Sequence, residues 1–98
     1  MKDCFVFEWD PRKGRSNEHK HGISFEEARA VFYDENARFM ADPEHSQDEE
    51  RFVMLGLSSK PRILVVCHCY RATGSIIRII SARRATKKET LQYEEYLK

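Results

Sequence analysis

The sequence predicts an α+β fold, β-α-α-β-β-β(-β)-α with a mostly antiparallel sheet, on three observations. Apolar residues near the N-terminus alternate with a period of two, as in a half-buried strand. Two helix-start signals follow, Asp10-Pro11 and Ser24-Phe-Glu-Glu27. From Arg38 to Ala82 the chain then reads as strands broken by turns, and Thr86 opens a last helix. Helices segregated onto one face of such a sheet define the class. With 98 residues and no repeat or Gly/Ser linker, the chain reads as one domain over 1–98.

Each element has its own warrant. Phe5, Phe7 and Trp9 alternate with Cys4, Val6 and Glu8 to give the first strand. Asp10 caps a short polar helix with Pro11 at its first position, and the helix runs to about His21 and stops at Gly22. Ser24 and Glu27 form a capping box, and Phe25, Ala28, Val31 and Phe32 put an apolar stripe on a second helix that ends near Asp34. Arg38–Ala41 is a weak strand, followed by an acidic loop, Asp42–Glu49. Arg51–Leu55 is a strand that ends at Gly56. Ser58–Pro61 turns into a strand over Arg62–Tyr70, and Ala72–Ser75 turns into another over Ile76–Ala82. These last two are apolar on both faces and are expected at the centre of the sheet. Thr86-Lys-Lys-Glu89 is a second capping box, and Leu91, Tyr93, Tyr96 and Leu97 continue that helix.

Charge is segregated even though the net charge is only +1. Between Glu26 and Glu50 nine acids face two bases, whereas Lys60 to Lys88 holds eight bases and no acid. A second basic stretch, Arg12 to His21, carries four Lys or Arg against Glu18. Such segregation suits a surface that meets an anion, a phosphate backbone above all, or halves that pair with each other inside the fold. No apolar run approaches the roughly 20 residues of a membrane span, and the N-terminus lacks a signal-peptide core, so a cytoplasmic protein without membrane contact is expected. Three cysteines cannot all pair within the chain, which fits a reducing compartment.

Strand alternation assigns the faces. Arg62, Leu64, Val66, His68 and Tyr70 share one side, and Ile63, Val65, Cys67, Cys69 and Arg71 the other. On the next strand, Arg78 is expected beside Ile76, Ile80 and Ala82, with Arg83 beside Ile77, Ile79 and Ser81. An arginine among aliphatics needs a partner or an open face. Arg78 could grip a phosphate through its fork or pair with Glu49 or Glu50. His68 could move a proton near neutral pH or sit satisfied in the core. His19, Lys20 and His21 suit the C-terminal end of a helix dipole whether or not they bind anything. Cys67-His68-Cys69 invites a zinc reading, but alternation turns His68 away from both thiols, so no metal is expected. No phosphate-binding glycine loop or cofactor fingerprint is present, and no cofactor is expected. RNA cleavage on such a chain would rest on positive charge around the phosphorus plus an acid and a base.

Beyond single residues, a pattern runs through the chain. It comprises Phe7-Glu-Trp-Asp10, Lys13, Asn17, Lys20-His-Gly-Ile-Ser-Phe-Glu-Glu-Ala28, Val31-Phe32 and Asp34. It continues with Asp42, His45-Ser46, Glu49-Glu-Arg51, Leu55-Gly56, Arg62, Leu64-Val-Val66, His68 and Arg71, then Ile77-Arg-Ile-Ile-Ser-Ala-Arg-Arg-Ala85, Lys88-Glu89 and Tyr93. In order and spacing these pieces resemble the BrnT toxins of type II toxin–antitoxin systems. The resemblance implies a fold similar to RelE-type ribonucleases, RNA cleavage without a metal, and arrest of translation. It also implies a small BrnA-like antitoxin with a ribbon-helix-helix segment, through which alone operator DNA is contacted. Carried to matching positions, Lys20, Arg71, Arg78 and Arg83 are the catalytic cations and His68 the preferred proton-transfer residue. His21, His45, Arg51 and Arg84 make up the substrate-binding set. The competing class is a toxin-like module that binds its antitoxin or RNA without cutting.

Overall fold

The computed structural model describes residues 5–42 and 50–97. Among them the chain forms β1 (Val6–Glu8), α1 (Pro11–His21), and α2 (Phe25–Arg29), which a 3-10 segment (Ala30–Tyr33) continues. Then come β2 (Arg38–Ala41), β3 (Phe52–Leu57), β4 (Ile63–Arg71), β5 (Ile76–Arg84) and α3 (Lys87–Tyr96). The strands form one sheet in the order β1-β5-β4-β3-β2. It is antiparallel except that β1 runs parallel to β5. The α+β class and the order of elements are those the sequence predicts. No helix among the described residues is long and apolar enough to cross a membrane.

The helix ends obey local chemistry. Asp10 accepts the Arg12 N–H at 2.9 Å, and Gly22 closes α1 at φ 73°, a left-handed turn that needs no Cβ. Thr86 and Glu89 form both halves of the expected capping box on α3. At α2 only one half forms: Ser24 Oγ accepts the Glu27 N–H at 3.0 Å. The Glu27 carboxylate turns inward instead, where it accepts from Ser58 Oγ and from Arg62 Nε and Nη2, each at 2.7 Å. Three donors from the β3–β4 region outcompete a single backbone amide for a buried carboxylate. The second helix also tightens to 3-10 geometry after Arg29, and both Val31 and Phe32 are buried.

Gly56 does not end β3 but lies inside it. A Cβ there would meet Val31 Cγ1 at 2.9 Å and the Ala37 Cβ at 3.0 Å. Glycine is therefore required for the 3-10 segment to press against the strand.

The sheet has a helix-covered face and a more open one. Leu64, Val66, Ile77, Ile79 and Ala82 pack against Ile23, Phe25, Ala28, Val31 and Phe32 of the helical layer. On the opposite face, Leu55 and Val65 lie under Tyr93 of α3, flanked by Val53, Ile63 and Ala85. Tyr93 Oη donates to Asp34 Oδ2 at 2.6 Å and fixes α3 there.

A β-bulge alters the expected faces of β5. Cys67 pairs with Ser81 and His68 with Ile79, so Ile80 has no partner on β4. One extra residue reverses the alternation beyond it. Ala82 therefore joins Ile77 and Ile79 in the core, not Ile76 and Ile80, and Arg83 comes round to the face that carries Arg78. Alternation alone had separated these two arginines.

Candidate functional site

The open face gathers charge where three strands lie side by side. Glu8 on β1 pairs with Arg78 on β5, and Arg78 pairs across the sheet with Cys69 on β4, two residues before Arg71. Residues in register on neighbouring strands project on one side, so the three side chains converge. Glu8 Oε2 lies 2.8 Å from Arg78 Nη1 and 3.4 Å from Arg71 Nε. The exposures are 36% for Glu8, 34% for Arg78 and 55% for Arg71, so this carboxylate and its two cations are open to solvent. Arg71 precedes a turn in which Ala72 and Thr73 hold φ values of 51° and 56°, a backbone that side-chain-bearing residues seldom adopt.

Farther along the same face, Arg83 grips Glu89 with two hydrogen bonds of 2.9 and 3.0 Å. This fork holds the Glu89 carboxyl down to about 2 and ties β5 to the first turn of α3. All three arginines thus have carboxylate partners within the chain. Arg78 meets Glu8, whereas the pairing the sequence left open was with Glu49 or Glu50, and Glu49 lies outside the described residues. The segregated charges also pair in part, through Arg62 and Glu27.

Cys67 lies on this face with Sγ 3.7 Å from Asp42 Oδ2, and burial followed by that carboxylate pushes its thiol up to about 11. Among the described residues, no three His, Cys, Asp or Glu side chains are placed to hold a metal ion.

His68 is elsewhere. It is 0% exposed on the helix-covered face, with its ring 4.8 Å from Phe32 edge-on. Nδ1 lies 3.3 Å from the Val66 carbonyl and Nε2 3.2 Å from Tyr70 Oη. A carbonyl only accepts, so Nδ1 carries the proton and Nε2 accepts from the tyrosine. Burial holds this imidazole down to about 4. It is a neutral core residue separated from the arginines by the sheet.

The other expected site residues are dispersed. Lys20 and His21, at the end of α1, line a groove with Ile80 and Ser81 of β5. Arg51 is half-buried ahead of β3, and Arg84 is exposed at the end of β5. His45 lies outside the described residues. Glu8 is the residue that sequence reasoning missed. Its signals were a lone acid in an apolar strand, a lone Arg78 in another, and its place in the Phe7-Glu-Trp-Asp10 piece of the pattern.

A family model described as a ribonuclease toxin, BrnT, of type II toxin–antitoxin systems matches residues 9–89. The crystal structure of the Brucella abortus ribonuclease toxin BrnT superposes with a TM-score of 0.64 at 21% sequence identity. That likeness covers 86% of this chain and 100% of the other, and it shows a shared fold. No curated protein matches the sequence.

Proposed function

The chain belongs to the BrnT family of ribonuclease toxins of type II toxin–antitoxin systems, and we propose on that footing that it cuts RNA at its open sheet face using cationic side chains. Glu8 accepts the proton of a ribose 2′-hydroxyl, whose oxygen attacks the adjacent phosphorus. Arg78 and Arg71 hold the charge that builds on the phosphoryl oxygens. The P–O5′ bond breaks, leaving a 2′,3′-cyclic phosphate, and the departing oxygen takes its proton from water at this exposed site. In the cell the chain acts in the cytoplasm, arrests translation and is silenced by an antitoxin with a ribbon-helix-helix segment.

The observation that carries this reading is one carboxylate between two guanidiniums on a solvent-open face. The existing ion pairs are no obstacle. Half-exposed pairs are worth only about 0–1 kcal/mol, so a phosphate can displace Glu8 from either cation. Arg83 serves to anchor α3, and His68 takes no part in proton transfer.

A second reading, a module that binds RNA or its antitoxin without cutting, draws on the fact that every one of these arginines already has a carboxylate partner. Purified protein incubated with RNA and a chelator separates the two. Cyclic-phosphate ends support the nuclease, and a mobility shift of intact RNA supports the module.

A further inference from the structure

The edge of β5 changes its neighbour halfway along. β1 pairs with it only from Ile76 to Arg78. Beyond that, α1 takes over: Asn17 Nδ2 donates to the Ala82 carbonyl at 2.8 Å, and Asn17 Oδ1 accepts the Ala82 N–H at 3.1 Å. Ile80, displaced by the bulge, and the exposed Ser81 stand beside the helix. Between them is a groove of about 200 Å³, lined by Lys13, Ser16, Asn17, Lys20 and His21 together with Ile80 and Ser81.

The α1 residues of this lining fall at helical spacing, Lys13, Ser16, Asn17 and Lys20, so one stripe of the helix faces the groove. Two ammonium groups, an imidazole and two hydroxyls line it, and no acid among the described residues does. Glu18, the acid of α1, lines a different hollow, beside Trp9 and Phe25. The helix dipole accounts for cations in the last turn but not for Lys13. That residue sits near the positive end, where the dipole does not favour a cation and the Asp10 cap already supplies the carboxylate.

We propose that this groove is a second phosphate subsite, holding the RNA backbone beside the cut with Lys13 and Lys20 as cations and Ser16 and Ser81 as hydroxyl donors. The inference rests on the RNA-cutting reading above and deepens it. Ser81 lies three residues along β5 from Arg78, about 10 Å at strand rise, so one strand spaces the two sites. The chain thereby tracks a single strand past the reacting phosphate and grips it again.

The test uses a single-stranded 2′-O-methyl oligonucleotide, which lacks the attacking hydroxyl and stays intact. Binding is measured against salt concentration for the wild-type chain, the Lys13→Gln/Lys20→Gln double variant and Lys13→Arg/Lys20→Arg. On a single strand, releasing one phosphate from the protein lowers the slope of log K against log salt by about 0.7. The Gln variant is expected to lose at least that much and to bind roughly tenfold more weakly whatever the sequence, and the Arg variant to recover both. An unchanged slope in the Gln variant, with the wild type still binding and cutting RNA, overturns the groove and leaves the nuclease standing. If the Gln variant instead loses only affinity for a short glutamate-rich peptide, the groove belongs to a protein partner and the inference fails. A wild-type chain that binds no RNA overturns both readings.

Discussion

The side-chain amide of Asn17 satisfies both backbone groups of Ala82, and so a helix stands in for the strand that β1 is too short to supply. The same amide donates to the Ile23 carbonyl at 2.9 Å. Asn17→Ala would leave three buried backbone groups without partners. The expected loss is about 3 kcal/mol, less than the sum of three separate penalties because the edge relaxes. Denaturant titration measures it. A midpoint unchanged from wild type would show that water replaces the amide.

Glu8 and Arg78 should separate by kinetics. Glu8→Gln is expected to slow RNA cleavage by about 10²- to 10⁴-fold without weakening binding of the 2′-O-methyl strand, because a base is lost and a repelling charge removed. Arg78→Ala should cost about 10²- to 10³-fold in cleavage, and Arg78→Lys should not restore it, since an ammonium lacks the guanidinium fork.

His68 should shape stability and leave chemistry alone. Its folded value of about 4 lies below the ordinary 6.5. Between these the unfolded chain binds the proton and the folded one does not. Stability is therefore complete above pH 6.5 and falls as pH drops toward 4, by about 2–3 kcal/mol. His68→Gln should flatten that part of the pH profile. The fraction that folds should still cut RNA, and a folded but inactive variant would return His68 to the site.

Glu89 acts lower on the pH scale. Held at about 2 by Arg83, against an ordinary 4.5, it favours the folded state fully above pH 4.5 and loses that contribution as pH falls toward 2. Glu89→Gln should remove this acid limb, cost about 1 kcal/mol at pH 7 as a partly exposed pair does, and loosen α3. Hydrogen exchange of the α3 amides reads the loosening.

Gly56→Ala tests the close approach of β3 to the 3-10 segment. With Val31 Cγ1 at 2.9 Å from the new methyl carbon, a loss of about 1–3 kcal/mol is expected in chemical denaturation. Shortening the neighbour with Val31→Ala should offset part of it.

What the sequence revealed and what it hid divide along range. Asp10, Gly22, Ser24 and Thr86 act within four residues of themselves, and their helix boundaries were legible. Glu27 was misassigned because its partners, Ser58 and Arg62, lie more than thirty positions away. Glu8 went unnoticed for the same reason: only strand pairing brings it to Arg71 and Arg78. Placing His68 required knowing which face the helices cover, which alternation does not say. The paired faces of β4 were read correctly, whereas those of β5 failed at the bulge, since a single unpaired residue leaves no mark in a run of isoleucines.

That insertion has an evolutionary corollary. A chain shortened by Ile80 alone would keep its composition, its hydropathy and nearly all its pairing partners. Its β5 would also stay in phase: with Ser81, Ala82 and Arg83 still opposite Cys67, Val66 and Val65, plain alternation from Ile79 points Ala82 inward and Arg83 outward. A one-codon deletion there should therefore still fold, with a regular β5 in place of the bulged one, and most single replacements at Ile80 are tolerated as well.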